Sequence, residues 1–428
     1  MNFQFIKNYI DNILQNSLVR NTLFMLFSNG FKLFVQAGYF VLIARTLGSQ
    51  QYGIFIGIIS LANLLNPFVT WGTGDILIKK VSRNRSVFSQ YWGNNLFITI
   101  VFGLSLILLV LLVGERILPP DLSPVVVILL LLSELILTVV IDAAAKAFLS
   151  VDLLNITGQM NILLSLKSLV AVIILVVFFK EPNLMIWAIL YSSSSLAAAL
   201  FAVLLVNRLV GAPKLYLPWF KQEFVQGFYF SITLSAENIN HNVDKTMISR
   251  LSTPQATGIY GAAYRLVDVS FVPVASLMSA TYMKFFQKGV TGISGILNFA
   301  KRLSLMAGGY GIIAGLGLFF FAPIVPYILG KDYAESVNAL RWLAAIPFLQ
   351  ALQYFAADTL TGAGFQGLRS AVQVTMALLN FMLNLWLIPI YSWRGAAWSS
   401  LASDGLKMFC LWILVFYLYR QEIQRREG

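Results

Sequence analysis

Twelve stretches of this chain run for about 20 residues or more with few polar interruptions. They lie at roughly 22–44, 52–72, 93–114, 123–146, 155–179, 184–207, 225–248, 255–283, 303–329, 338–361, 369–391 and 395–419. In hydrocarbon no water can satisfy an exposed peptide group, so a spanning segment must be an α-helix or part of a closed barrel. Barrel strands alternate apolar and polar residues over about ten positions, and these runs do not alternate. Only 11% of the 428 residues are charged and the mean hydropathy is +0.77, against about a quarter charged in soluble domains. The sequence therefore predicts an all-α integral membrane protein with twelve transmembrane helices.

An even number of spans puts both termini on one side, and the Lys/Arg bias selects it. With the termini in the cytoplasm, only Arg45, Arg116, Lys180, Arg250, Lys331, Arg341 and Arg394 fall outside, and most other basic residues fall inside. The net charge of +12 is then chiefly a topology signal rather than a nucleic-acid footprint. Residues 1–20 place Phe3, Ile6, Ile10, Ile13 and Leu14 on one helical face and predict an amphipathic interfacial helix. The single cysteine, Cys410, excludes an internal disulfide or a thiolate cluster. No connection exceeds about 20 residues, which leaves no room for an attached catalytic domain; the chain reads as no enzyme, with no catalytic residues and no metal site.

One phrase occurs twice. RTLGSQQYGIFIGIISL from Arg45 and RLSTPQATGIYGAAYRL from Arg250 share Arg45/Arg250, Gln50/Gln255, Gly53/Gly258, Ile54/Ile259 and Leu61/Leu266 without gaps. Each copy joins the first two spans of a six-span half, and the linker near 211–224 divides the halves. Because six is even, both halves insert in the same sense, which predicts parallel repeats: a bundle over 21–210 and another over 225–420, with a tail at 421–428. Thr253 followed by Pro254 reads as a helix cap and first turn, with Ser49 the weaker cap. Gly53 and Gly258 would admit a closely approaching helix.

Charges inside spans are costly and normally face a wet cavity or one another. In the seventh span Glu237, Asn240, His241, Asp244 and Lys245 share one helical face. The eighth adds Arg265 and Asp268 at i, i+3, able to pair locally or to reach Asp244 and Lys245. Asn29, Lys32 and Gln36 in the first span, and Asn63, Asn66 and Thr70 in the second, repeat this spacing. As packing groups these would hold the bundle together; as a site, Lys32, Lys245 and Arg265 would bind an anionic head group through charge-assisted hydrogen bonds. Glu237, Asp244, Asp268 and His241 could carry H⁺ or Na⁺ coupling, and no other cofactor is expected.

Further polar stripes have simpler readings. Glu134, Thr138 and Asp142 follow i, i+4, i+8 with Lys146 a turn beyond, and Ser400, Ser403, Asp404 and Lys407 form another. A Lys one turn from an Asp reads first as a self-neutralising pair. Arg45 and Arg250 read as snorkelling interfacial residues or as an outer mouth. Gln373, Asn380 and Asn384 would be sugar-contacting amides or interhelical glue.

Several segments together resemble the oligosaccharide flippase (Wzx-type) family, in the superfamily of multidrug exporters and the peptidoglycan lipid flippase (MOP/MATE-like). They are Ala44-Arg45-Thr46-Leu47-Gly48 with Tyr52-Gly53, Gly72 to Asp75, Asp244-Lys245, Gly258-Ile259-Tyr260 and Ala263-Tyr264-Arg265-Leu266. The resemblance implies two six-helix bundles working by alternating access in the inner membrane. It implies a polyprenyl-diphosphate-linked oligosaccharide as substrate, moved to the periplasmic leaflet for surface polysaccharide assembly. Lys32, Lys245 and Arg265 would hold the diphosphate. A monomer contacting membrane lipids and a polysaccharide polymerase or ligase is implied as well. Two other readings stay open: a cation-coupled multidrug exporter of the same superfamily, and a membrane-embedded biosynthetic enzyme.

Overall fold

The computed structural model describes residues 17–119, 122–216 and 218–427, with the side chains of some helical residues outside the described set. The expected interfacial helix over residues 1–20 falls mostly outside those residues. Among the described residues there are helices and turns and no strand. In chain order the helices are α1 (Ser17–Thr70), α2 (Thr73–Val81), α3 (Phe88–Ile117), α4 (Pro124–Leu132), α5 (Thr138–Ser150), α6 (Leu154–Phe178), α7 (Leu184–Leu209) and α8 (Trp219–Leu251). They continue with α9 (Pro254–Gly289), α10 (Ile293–Phe321), α11 (Val325–Leu329), α12 (Ser336–Leu343), α13 (Ile346–Gly362), α14 (Gln366–Tyr391) and α15 (Trp393–Glu427).

Among the described residues, nine helical stretches are long and apolar enough to cross a membrane. The expected tally of twelve is not reproduced by that measure, and the departures are local. Expected spans 1 and 2 run together in α1, which turns at Gly48. With φ 67° and ψ 171°, Gly48 occupies a region that side-chain-bearing residues avoid. Expected span 10 is cut into α12 and α13. Expected span 7 lies on α8, where many side chains are outside the described set.

The chain divides into two compact units, residues 1–47 with 58–238, and residues 48–57 with 239–428. In the first, α6 packs on α5 and α7, and α2 packs on α3 and α5. Trp92 and Trp187 are fully buried there. The linker after α7 is tied to α3: Asn94 Nδ2 donates to the Tyr216 carbonyl at 3.0 Å, and Asn94 Oδ1 accepts from the Tyr216 amide at 2.9 Å. At the end of α1 the Trp71 indole donates to the Phe224 carbonyl at 2.9 Å and stacks on the Phe224 ring.

In the second unit α10 packs on α13, and α14 and α13 pack on α15. Phe285, Ile296, Leu303 and Phe355 form one buried cluster, and Leu297, Leu360, Leu411 and Val415 another. The helical end of α15 carries Glu422 to the start of α10, where its carboxylate accepts from the amides of Ile293 and Ser294 at 2.8 and 2.9 Å. Negative charge at a helix N-terminus satisfies free amides and complements the helix dipole.

The duplicated phrase meets its own copy within this unit. A Cβ on Gly53 would overlap the carbonyl of Pro254, and one on Gly258 would overlap the carbonyl of Ser49. Positions 49 and 254 are equivalent in the repeat, as are 53 and 258, so the contact is reciprocal. Gly261 lies against Ile56, again an equivalent pair. The close approach expected of Gly53 and Gly258 is thus to each other. The Thr253 cap also forms, its hydroxyl accepting from the Ala256 amide at 3.1 Å. Replacing Gly258 by Val is expected to lower stability by about 1–3 kcal/mol through overpacking. Gly405→Ala, where the added methyl meets open space, serves as the neutral control. An unchanged melting midpoint for Gly258→Val in scanning fluorimetry would refute the close-approach account.

Candidate functional site

The second unit buries a carboxylate in its interior. Asp244 on α8 is 3% exposed and accepts from Tyr260 Oη of α9 at 2.9 Å, Asn384 Nδ2 of α14 at 2.7 Å and Ser400 Oγ of α15 at 2.5 Å. Asn384 Nδ2 also donates to Asn380 Oδ1 at 2.9 Å, and Asn380 Nδ2 to Ser403 Oγ at 3.0 Å. Four helices therefore converge on one carboxylate. Asn384 Oδ1 is buried without a hydrogen-bond partner among the described residues. The amides Asn380 and Asn384 act here as interhelical glue.

Beside this network the structure gathers the cations read from the sequence. Lys245 places its ammonium 4.3 Å from the centroid of the Tyr264 ring and lies within electrostatic reach of Asp268, Asp244 and Arg265. Lys245, Arg265 and Asp268 are half-buried. Residues expected to reach across from α9 to α8 do share one neighbourhood. Arg45 and Arg250 are exposed near the hairpin. The side chains of Asn29, Lys32, Glu237, Asn240 and His241 lie outside the described residues.

In the first unit, Gln36 Nε2 donates to Ser165 Oγ at 3.2 Å, and Asn63 is engaged by Asn66 at 3.4 Å and, through its carbonyl, by Asn238 at 3.2 Å. A second polar core there was not singled out from the sequence. Lys167 on α6 is 5% exposed; its ammonium donates to Thr138 Oγ1 at 2.7 Å and Ser195 Oγ at 2.8 Å, and lies 3.5 Å from Tyr191 Oη. Tyr191 in turn donates to the buried carboxylate of Glu134. Glu134 sits in a π-helical turn, Ser133–Leu137, joining α4 to α5. Of the stripe expected of Glu134, Thr138 and Asp142, the first two both reach the Lys167–Tyr191 network, and only Asp142 turns elsewhere. Glu134 turns to α7, whereas Asp142 pairs with Lys146 at 3.6 Å. A lysine between Ser165 and Ser168 in an apolar span was the available signal.

Other intramembrane charges are paired locally. Lys407 meets Asp404 at 2.8 Å, Lys146 also meets Asp75 at 3.5 Å, and Asp358 meets Arg369 at 3.7 Å. Outside the spans, the ammonium of Lys80 binds the buried carboxylate of Glu223, which also accepts from Tyr91 at 3.4 Å. That hydrogen bond to Glu223 raises the pKa of Lys80 above the ordinary lysine value.

The fold defines a class. The multidrug resistance MATE transporter in its inward-facing conformation superposes with a TM-score of 0.70 at 13% identity, covering 91% of this chain and 96% of that one. The lipid II flippase MurJ, inward closed, gives a TM-score of 0.71 at 12% identity, covering 92% of this chain and 87% of that one. The chain is thus an all-α multi-pass membrane protein with the fold of the MOP transporter superfamily. It belongs to the polysaccharide biosynthesis protein family, whose pattern matches residues 18–283, more than half of its length. A relative in Escherichia coli, named "Putative O-antigen transporter", is 23% identical over 404 residues, covering 91% of this chain and 94% of the relative.

Removing one partner from a buried charge pair strands the other, at a cost of about 3–5 kcal/mol. Lys167→Met is expected to destabilise on that scale, while Glu134→Gln/Lys167→Met should cost less than the two single changes summed. Additive losses in a thermal double-mutant cycle would show that the two groups do not interact. For Lys80, whose folded-state pKa lies above the unfolded one, the stabilisation is complete at neutral pH and disappears as pH rises through the raised value. Wild type and Lys80→Met should therefore differ in melting midpoint at neutral pH and converge only above roughly pH 10.4.

Proposed function

We propose that this protein is a flippase that moves a polyprenyl-diphosphate-linked oligosaccharide from the cytoplasmic to the periplasmic leaflet of the inner membrane by alternating access, for surface polysaccharide assembly. Its two six-helix halves carry the motion and both termini face the cytoplasm. The observation that carries this reading is the half-buried Lys245 and Arg265 of the second unit, in a chain whose family is that of polysaccharide biosynthesis proteins. An apolar span does not retain cations without a counter-charge or an anionic ligand. Lys245 and Arg265, with Lys32 as a third cation, bind the diphosphate, whose oxygens match guanidinium and ammonium donors. The polyprenyl tail stays in lipid, where its transfer costs nothing, and the glycan takes the wet path lined by Asn29, Gln36, Asn63, Asn66, Glu237, Asn240 and His241.

A proton or Na⁺ couples the cycle through Asp244, Asp268 or Glu237. The orphaned Asn384 Oδ1 beside the Asp244 carboxylate supports this assignment, because two buried oxygens and nearby hydroxyls offer a cation or proton a polar seat. The likeness to multidrug exporters keeps one competing reading, a cation exporter of the same superfamily.

Reconstituted protein should translocate a fluorescent polyprenyl-diphosphate glycan across liposomes. Failure to do so, with export of a hydrophobic cation instead, would replace the flippase with the exporter. Lys245→Ala and Arg265→Ala should each slow glycan transport by on the order of tenfold or more, as expected for lost charge-assisted contacts. Undiminished transport by both, at normal expression, would sink the diphosphate assignment.

A further inference from the structure

Two guanidinium groups at one end of the second unit are not used by the transport site. Arg341 on α12 and Arg394 on α15 line a cavity of about 530 Å³ together with Phe319, Asn338 and Trp342. That volume falls within the range of ligand sites, about 300–1,000 Å³. Phe319 and Trp342 are 43% and 47% exposed. Arg341 lies 5.2 Å from the Phe319 ring and Arg394 5.2 Å from the Trp393 ring, so aromatic faces support both guanidiniums from below. Among the described residues, neither forms an ion pair. The nearby carboxylate of Glu335 instead accepts from the Trp393 indole at 3.0 Å.

Depth in the membrane identifies the occupant. Two apolar stretches bring residues to this cavity from near their ends, Phe319 late in Ile293–Leu329 and Arg394 at the start of Trp393–Gln424. Residues where spans end lie at head-group level, where exposed rings act as interfacial anchors. Phe320 and Phe321, which follow Phe319 in the chain, are 70% and 67% exposed. A cavity with two unpaired guanidiniums, an amide and aromatic walls at that depth suits a phosphate group whose acyl chains lie along the adjoining helices.

We propose that the Arg341–Arg394 cavity is a binding site for the head group of an acidic phospholipid. Both guanidiniums donate to the phosphate, Asn338 to the glycerol oxygens, and the acyl chains run over Phe319 and its exposed neighbours. The site is separate from the proposed diphosphate site and stands without it. Full-length protein in detergent should be titrated with phosphatidylglycerol and, separately, with phosphatidylcholine, and bound lipid read by native mass spectrometry. Retention of phosphatidylglycerol over phosphatidylcholine is expected, with a loss on the order of tenfold in R341Q/R394Q. The control K284Q/K288Q, on basic residues of α9, should retain lipid as wild type does. If the double variant is not monodisperse, the single variants R341Q and R394Q, each at an exposed position, should show a partial loss. Wild-type retention in every arginine variant, or an equal loss in the control, would overturn the site. Displacement of the lipid by soluble glycerol 3-phosphate at comparable concentration would make it a site for free phosphate esters and overturn the lipid assignment.

Discussion

A charged side chain inside hydrocarbon has no water to return to, so it must find its counter-group on a neighbouring helix or draw an occupant to itself. Apolar helix faces in a bilayer gain little from preferring one another over lipid, because acyl chains are as apolar as leucine. Polar contacts therefore decide which helices are neighbours. In the first unit the chain Glu134–Tyr191–Lys167 ties the π-helical turn before α5 to α6 and α7. In the second, Asp244 ties α8 to α9, α14 and α15. Each unit is organised around one such core, and its apolar clusters fill the space that the core defines.

The duplicated hairpin adds a backbone constraint to these side-chain ones. Gly53 and Gly258 lack the one atom that would keep the two copies apart, and the carbonyls of Pro254 and Ser49 occupy that space. A reciprocal contact between equivalent positions is what two fused copies make when they meet face to face. The repeat thus explains why glycine stands at both positions, where a lone helix would favour alanine.

The charges of the second unit divide by their surroundings. Asp244 receives three donors, which hold it in place, whereas Lys245 rests on the Tyr264 ring near Arg265 and Asp268. A fixed carboxylate beside cations on two adjoining helices gives the unit polarity in its interior. At the end of the same unit Arg341 and Arg394 sit on aromatic rings at exposed positions, a setting that separates them chemically from the interior pair. The family match and the fold agree with a membrane transporter of polysaccharide assembly, and the placement of these cations gives that reading its chemistry.

Much of the architecture was legible in the sequence because hydrocarbon imposes it on composition. Apolar runs fixed the helical class and the membrane, and spacing along a single helix was enough to foresee the pair Asp404–Lys407, the Thr253 cap and the tight approach at Gly258. The approach of α9 to Lys245 was also open to the sequence, and the ammonium does lie over the Tyr264 ring and within electrostatic reach of Asp268. What the sequence could not supply was any contact whose partners lie far apart along the chain. Asp244 finds Asn384 and Ser400 140 and 156 residues away, and no periodicity links them. Glu134 and Thr138 meet Lys167 and Tyr191 on two other helices, partners that spacing along their own helix does not name. By itself the sequence determined that the chain is helical and enters the membrane and which residues are too polar to face lipid, because both follow from transfer free energy residue by residue. Only the tertiary structure decided which polar groups neutralise one another and which remain to meet a ligand, because that depends on distances between helices that the local pattern does not encode.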